Sequence, residues 1–142
     1  MSLEPVLIAD QWRESEKTGT FQVANPATGE LFPSIYPISS WADCEAALKS
    51  AHAAFLEMRL MPGGEIATFL ESFATKIEER AEALVEMAHL ETALPKTPRL
   101  AGAELPRTTG QLRQAAAAAR SGSWKNPVID TTNNIRACFG PL

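Results

Sequence analysis

Cysteine is scarce: the 142-residue chain has two, Cys44 and Cys138. A disulfide scaffold needs a dense, paired set in a short chain, so that class is excluded. Two reduced, partly buried thiols are expected instead. Excess charge of either sign is also missing, since 13 Lys and Arg stand against 17 Asp and Glu, for a net charge of −4. The cations are dispersed, whereas phosphate binding needs a basic face, so no nucleic-acid partner is expected. No apolar run is long enough to cross a bilayer, so no membrane partner is expected either. The start, Met1-Ser2-Leu3-Glu4-Pro5, lacks the basic and apolar regions of a signal peptide. A cytoplasmic location is expected.

The signatures of site chemistry are equally thin. Gly63-Gly64 has neither the spacing nor the strand-then-helix setting of a phosphate-cradling loop. His52 and His89 fall on separate helical elements. With Glu91 they make a poor zinc set, which wants three or four ligands at recognisable spacing, and helix-surface histidines are the plainer reading. Cys138 invites a nucleophile reading, but that role needs an electropositive pocket and a nearby base. Arg136 alone does not supply them, and a small apolar packing residue is the alternative. Cys44 lies on an apolar helix face. Trp12, Trp41 and Trp124 are scattered without interleaved cations, so they read as packing residues rather than base-stacking platforms. Arg99, Arg107, Arg113 and Arg120 recur on one stretch. They read either as an anion-facing edge or as a solvated face with local ion pairs. The expectation is no catalytic, no cofactor-binding and no metal-binding residue in this chain.

What is present is an ordinary globular composition, 45% hydrophobic and 21% charged, enough for a packed core. Val6-Leu7-Ile8-Ala9 and the alternating Thr20-Phe21-Gln22-Val23 read as the two strands of a hairpin, joined through a polar turn at Glu14 to Gly19. Asn25-Pro26-Ala27-Thr28-Gly29-Glu30 reads as a tight reversal: Asn closes an Asx-turn, Pro fixes φ and Gly supplies positive φ. A further strand, about Leu31 to Ile38, is confined to a sheet edge by Pro33 and Pro37.

The middle is helical. Ser40-Trp41-Ala42-Asp43 fits a capping-box start. Trp41, Cys44, Ala47, Leu48, Ala51, Phe55 and Met58 then share one face, and Pro62-Gly63-Gly64 ends the element. Ile66, Phe69, Leu70, Phe73 and Ile77 form a second face. A break falls at Glu78-Glu79-Arg80, and the period resumes at Ala81, Leu84, Val85 and Ala88 until Leu94-Pro95. A third stretch runs from about Leu100 to Arg120, where Pro106 marks a kink or the true first turn, and Ser121-Gly122-Ser123 stops it. The tail from Trp124 is β-rich: Val128 to Thr132 and Ile135 to Phe139 flank an Asn133-Asn134 turn. The fold class is α+β, mostly helical, with an N-terminal β-hairpin and a C-terminal β-arm. A chain that stops at Leu142 just after a strand signal reads as cut short.

Several blocks together resemble the amino-terminal segment of aldehyde dehydrogenases. They are the turn Asn25–Glu30, the helix end Ala51-His52-Ala53-Ala54-Phe55, then Phe69-Leu70, Ile77-Glu78-Glu79-Arg80, Leu84-Val85 and Glu91-Thr92-Ala93-Leu94-Pro95. The block from Glu104 to Arg113, with Gly122-Ser123-Trp124 and Ile129-Asp130-Thr131, is similar to the α-ketoglutaric semialdehyde dehydrogenase branch. Two departures stand out: Ile66 replaces the family's usual arginine, and Pro62-Gly63-Gly64 is looser than the family pattern. The resemblance implies the N-terminal portion of an NAD(P)-dependent oxidoreductase that converts an aldehyde, such as a 2-oxo acid semialdehyde, to its acid. Residues 1–38 would be N-terminal strands. Residues 39–122 would be a helical part packing on the nucleotide-binding domain. Residues 123–142 would be a β-arm joining subunits of a dimer or tetramer. The nucleophile, general base and NADP- or NAD-contacting groups would lie beyond Leu142, leaving this chain structural, without bound cofactor and inactive alone. A free-standing helical interaction module is the alternative.

Overall fold

A computed structural model describes residues 3–138. Strands β1 (Val6–Ile8) and β2 (Gln11–Arg13) pair antiparallel, Val6 opposite Arg13. Their link is Ala9 and Asp10, both left-handed at φ 52° and 62°. Two consecutive positive-φ residues make the tight turn whose twist matches antiparallel strands. The first hairpin therefore closes inside the segment expected to be one strand, not through Glu14 to Gly19. Ala-Asp lacks the Asn-Gly or Asp-Gly signature, so the turn left no mark in the sequence.

Thr20 and Phe21 belong to a separate ribbon. Strand β3 (Lys17–Phe21) pairs antiparallel with β4 (Tyr36–Ser39), with a register shift between Lys17 and Gly19. The expected strand from Leu31 starts only at Tyr36, and Leu31 itself makes a single bridge to Ala24. Pro37 sits opposite Thr20 in this two-stranded sheet, where a missing N–H costs no second ladder. The reversal between the strands is as expected. Gly29 has φ 78° and donates its N–H to the Asn25 carbonyl at 2.7 Å, and the Ala27 N–H donates to Asn25 Oδ1 at 2.9 Å.

Helix α1 (Trp41–Met58) starts at Ser40, whose hydroxyl accepts the Asp43 N–H at 3.3 Å. It ends at Met58, before Pro62. Helix α2 (Gly63–Glu79) breaks at Arg80, and α3 (Ala81–Thr92) stops at Ala93 in a left-handed cap, φ 57°. A wide coil, Lys96–Glu104, carries i→i+5 bonds such as Leu100 N–H to the Pro95 carbonyl, with Thr97 extended inside it. Helix α4 (Leu105–Ser121) has Pro106 in its first turn, where no N–H is needed, and ends at Gly122, φ 63°. Strands β5 (Val128–Asp130) and β6 (Ile135–Ala137) pair antiparallel as expected. Phe139, assigned to the last strand, lies outside the described residues.

The core sits between α2 and α4. Ala67, Ala74 and Ala116 are fully buried, and Thr109 nearly so. These small side chains let the two backbones approach closely. An ideal Cβ on Gly63 would lie 2.2 Å from the Ala119 carbonyl oxygen. The Pro62-Gly63-Gly64 segment is thus a tight contact rather than a loosened linker, and it begins α2 instead of ending α1. The molecule falls into three parts: β1–β4 with α1, the α2–α4 group, and the β5–β6 ribbon.

Candidate functional site

Asp43 is the polar centre of the N-terminal part. It is 3% exposed. Its Oδ1 accepts from Arg13 Nη2 at 2.7 Å, and its Oδ2 accepts from Ser15 Oγ at 2.7 Å and the Glu16 N–H at 2.8 Å. The carboxylate expected to complete a capping box faces the strands instead, and the Ser40 N–H donates to the Glu16 carbonyl at 2.8 Å. A local capping pattern cannot announce such a tertiary partner. Its effect is to pin the start of α1 to the chain that follows β2. Beyond that point the α1 face is bare. Trp41 is 75% exposed and Leu48 62%, and Cys44, Ala47, Ala51, Phe55 and Met58 are exposed as well.

Two ion pairs flank the α2–α4 seam. Arg113 donates both arms of its guanidinium to Glu78 at 2.6 and 2.8 Å, and Arg120 does the same to Glu71 at 2.7 and 2.8 Å. Bidentate pairing of this kind fixes register as well as charge. Hydrogen bonding from the guanidinium is the main cause that holds each glutamate below the ordinary carboxylate range and raises each arginine. Arg113 and Arg120 are consumed by local pairs, which settles the choice left open between an anion-facing edge and a solvated face for these two.

Arg99 and Arg107 are arranged differently. Both pair with one carboxylate, Glu104, at 2.5 and 2.6 Å. Glu104 lines an apolar cleft of about 360 Å³ with Ile77, Leu84, Val85, Leu100, Leu105 and Thr108. The charges are visible in the sequence. The cleft is not, because it forms where the wide coil turns Leu100 back toward α3.

The other candidates do not converge. His52 lies on exposed α1. His89 Nδ1 is 2.7 Å from the Leu94 carbonyl at the end of α3, and Glu91 does not join it. Among the described residues no three His, Cys, Asp or Glu gather in one place. Both cysteines are exposed, correcting the expectation of partly buried thiols. Cys138 adjoins Asn126, Val128 and Ala137, none of them a base. Trp12 and Trp41 are exposed rather than packed. The reading of Trp124 lies outside the described side chains. Among the described residues no helix is long and apolar enough to cross a membrane. The β5–β6 ribbon leaves Val128, Ile129 and Ile135 exposed. Its turn is held by Asp130, which accepts the Thr132 and Asn133 N–H groups at 2.9 and 3.1 Å.

Known proteins resemble this chain over most of its length. The chain is 38% identical over 119 residues to an alpha-ketoglutaric semialdehyde dehydrogenase 2 of Azospirillum brasilense, covering 83% of this chain and 22% of the relative. It is 32% identical over 114 residues to a succinate-semialdehyde dehydrogenase [NADP(+)] 2 of Schizosaccharomyces pombe, covering 79% and 22%. The fold matches the crystal structure of PnpE in complex with nicotinamide adenine dinucleotide, with TM-score 0.75 and 25% identity, over 83% of this chain and 24% of that one. The chain thus spans about a fifth of the length of the curated relatives it matches. The pattern of the aldehyde dehydrogenase family matches residues 12–139, and the chain belongs to that family.

Proposed function

We infer that this chain is the amino-terminal segment of an NAD(P)-dependent aldehyde dehydrogenase that oxidises a semialdehyde, of the 2-oxo acid type, to the carboxylic acid. Within that enzyme the segment is structural and joins subunits. One observation carries the reading: a family match over residues 12–139 in a chain that covers 22% of a semialdehyde dehydrogenase. The location is the cytoplasm and the working form is a homo-oligomer, dimer or tetramer.

The residues here do not fit a dinucleotide. The N-terminus of α2 is the one place with paired glycines, and there Gly63 serves close packing against the Ala119 carbonyl. In this reading the catalytic thiol, base and nucleotide contacts belong to the rest of the enzyme. What the segment supplies is surface. Residues 39–122 form the helical part that packs on the nucleotide-binding domain, an arrangement supported by the exposed stripe of α1. The β5–β6 ribbon belongs to the β-arm, and its edges, unpaired among the described residues, suit strand addition by a neighbouring subunit.

The test is the absorbance of reduced nicotinamide with NAD or NADP and a panel of semialdehydes. The complete polypeptide carrying this segment should give a signal, and the 142-residue chain should give none. Activity that follows the short chain through purification would overturn the assignment and make Cys138 the first residue to mutate. A free-standing interaction module would instead show cooperative unfolding of the short chain at low concentration and no activity in either form.

A further inference from the structure

We propose that Arg99 and Arg107, gathered on Glu104 at the apolar cleft, form a carboxylate-binding site, and that in the enzyme this site receives the carboxylate end of the semialdehyde. The substrate half of this inference rests on the function proposed above. The binding half does not.

Charge stoichiometry is the first argument. Seven other ion pairs match one cation with one carboxylate: Arg13 with Asp43, Lys17 with Glu14, Lys49 with Glu45, Lys76 with Glu79, Lys96 with Glu86, Arg113 with Glu78 and Arg120 with Glu71. At Glu104, by contrast, two guanidiniums share a single carboxylate. The cluster therefore carries one uncompensated positive charge. Each guanidinium has five N–H donors and contacts Glu104 through one nitrogen, so its fork retains donors that match a second carboxylate.

The surroundings are the second argument. Glu104 is only 25% exposed on its side chain, while Arg99 and Arg107 are 56% and 68% exposed. The anchor is sheltered and the donors face solvent. Beside it the cleft offers about 360 Å³ walled by Ile77, Leu84, Val85, Ala88, Leu100 and Leu105. An apolar cleft bordered, through Glu104, by two arginines suits a small molecule with a short alkyl chain and one carboxylate. The acid semialdehydes named for the relatives have that shape, with the aldehyde at the far end. The groups facing the cluster from adjoining elements are Glu82 and Glu86 on α3, with Lys96 paired to Glu86. They line a neighbouring hollow beyond Val85 and Leu105, whereas the cleft's own lining holds one charged residue, Glu104, to which the two arginines are paired.

The experiment has two arms. In the first, glutarate and the uncharged 1,5-pentanediol are titrated into the complete polypeptide carrying this segment by isothermal calorimetry at low salt. Glutarate should bind in preference to the diol. The Arg99→Gln, Arg107→Gln double variant should weaken glutarate at least tenfold, and Glu104→Gln should strengthen it by removing the competing charge. No glutarate binding, or equal binding by the double variant, overturns the site. A strengthened Glu104→Gln cannot arise from misfolding, which keeps the arm decisive. In the second arm, the complete enzyme is assayed with succinate semialdehyde and butanal. The double variant should raise KM for the semialdehyde at least tenfold and leave butanal unchanged. Equal effects on both would overturn the substrate half while the first arm still decides binding. Wild-type enzyme that oxidises neither aldehyde would overturn the proposed function and the substrate half together, and again leave the binding half to the first arm.

Discussion

Helices α1 and α2 are nearly the same length, 18 and 17 residues, and both carry apolar residues at helical spacing. Their fates differ. The large residues of α1 face solvent, and its one buried side chain is the charged Asp43. The buried residues of α2 are Ala67 and Ala74, while its larger Phe69 and Phe73 stack on each other at 6.3 Å and stay half exposed. Within this chain, close backbone approach decides what is buried, and the big apolar side chains stay exposed. That division suits a segment whose small residues hold it together and whose large ones attach it to something else.

The contrast can be broken first at Asp43. Replacing it with Ala leaves Arg13, Ser15 and the Glu16 N–H without their common acceptor. Removing one partner of a buried charged pair costs about 3–5 kcal/mol, the lower end applying here because Arg13 is half exposed. Native-state hydrogen exchange should show the loss confined to β1–β4 and the start of α1. Equal loss of protection in α2 and α4 would show that the two parts are one cooperative unit. Next comes the seam. Gly63→Ala should cost about 2 kcal/mol, because the new methyl meets the Ala119 carbonyl. Gly64→Ala, one residue on with nothing within 4 Å, should instead stabilise by about 0.5–1 kcal/mol through helix propensity. Thermal melts followed by circular dichroism give both signs. Equal effects of the two substitutions would mean that the seam is not close-packed.

The difference between the helices also marks what could be read from the sequence. Spacing found α1 to α4, and the Ser40 cap, the break at Arg80, Pro106 and Gly122 each act locally, whereas Pro62-Gly63-Gly64 begins α2 instead of ending α1. The ribbon turn at Asn25–Glu30 was legible for the same reason. The first hairpin was not, because its turn residues, Ala9 and Asp10, carry no glycine. Burial of the α1 stripe failed for a different reason. Periodicity says which residues share a face, not whether this chain provides the partner for it. The candidate site was half legible. Arg99, Glu104 and Arg107 stand out as charges, but their two-to-one sharing and the cleft beside them depend on the wide coil Lys96–Glu104, whose i→i+5 bonds have no sequence signature. Asp43 was visible only as a cap.

A weaker perturbation tests the exposed faces themselves. A chain that leaves Trp41, Leu48, Val128 and Ile129 in water should self-associate. Leu48→Glu on α1 and Ile129→Lys on β5 should each lower the apparent mass in light scattering. Neither should change monomer stability by more than about 0.5 kcal/mol, since neither side chain is packed. If only the β5 change disperses the chain, association runs through the ribbon edge, in keeping with an arm that joins subunits. If only the α1 change does, the helix stripe is the contact. A monodisperse monomer of the unmodified chain at high concentration would show that these faces do not associate at all.

The smallest effect expected is the response of the seam to acid. Glu71 and Glu78 titrate below their ordinary range in the folded chain, chiefly because Arg120 and Arg113 hydrogen-bond to them. A carboxylate with a depressed folded pKa adds stability that is present above its unfolded pKa and lost as pH falls through the folded one. The α2–α4 contribution should therefore be flat at neutral pH and fall only in the acid range below that of a free glutamate. The pairs are exposed, so the loss should be small and should shrink further at high salt. The double change Glu71→Gln, Glu78→Gln should remove that part of the acid slope while the alanine seam persists. The N-terminal part supplies the internal control: its exchange protection should not follow the two glutamates. An acid slope in the double variant as steep as in the original chain would place the titrating groups elsewhere and leave the small-residue contact as the seam's main source of stability.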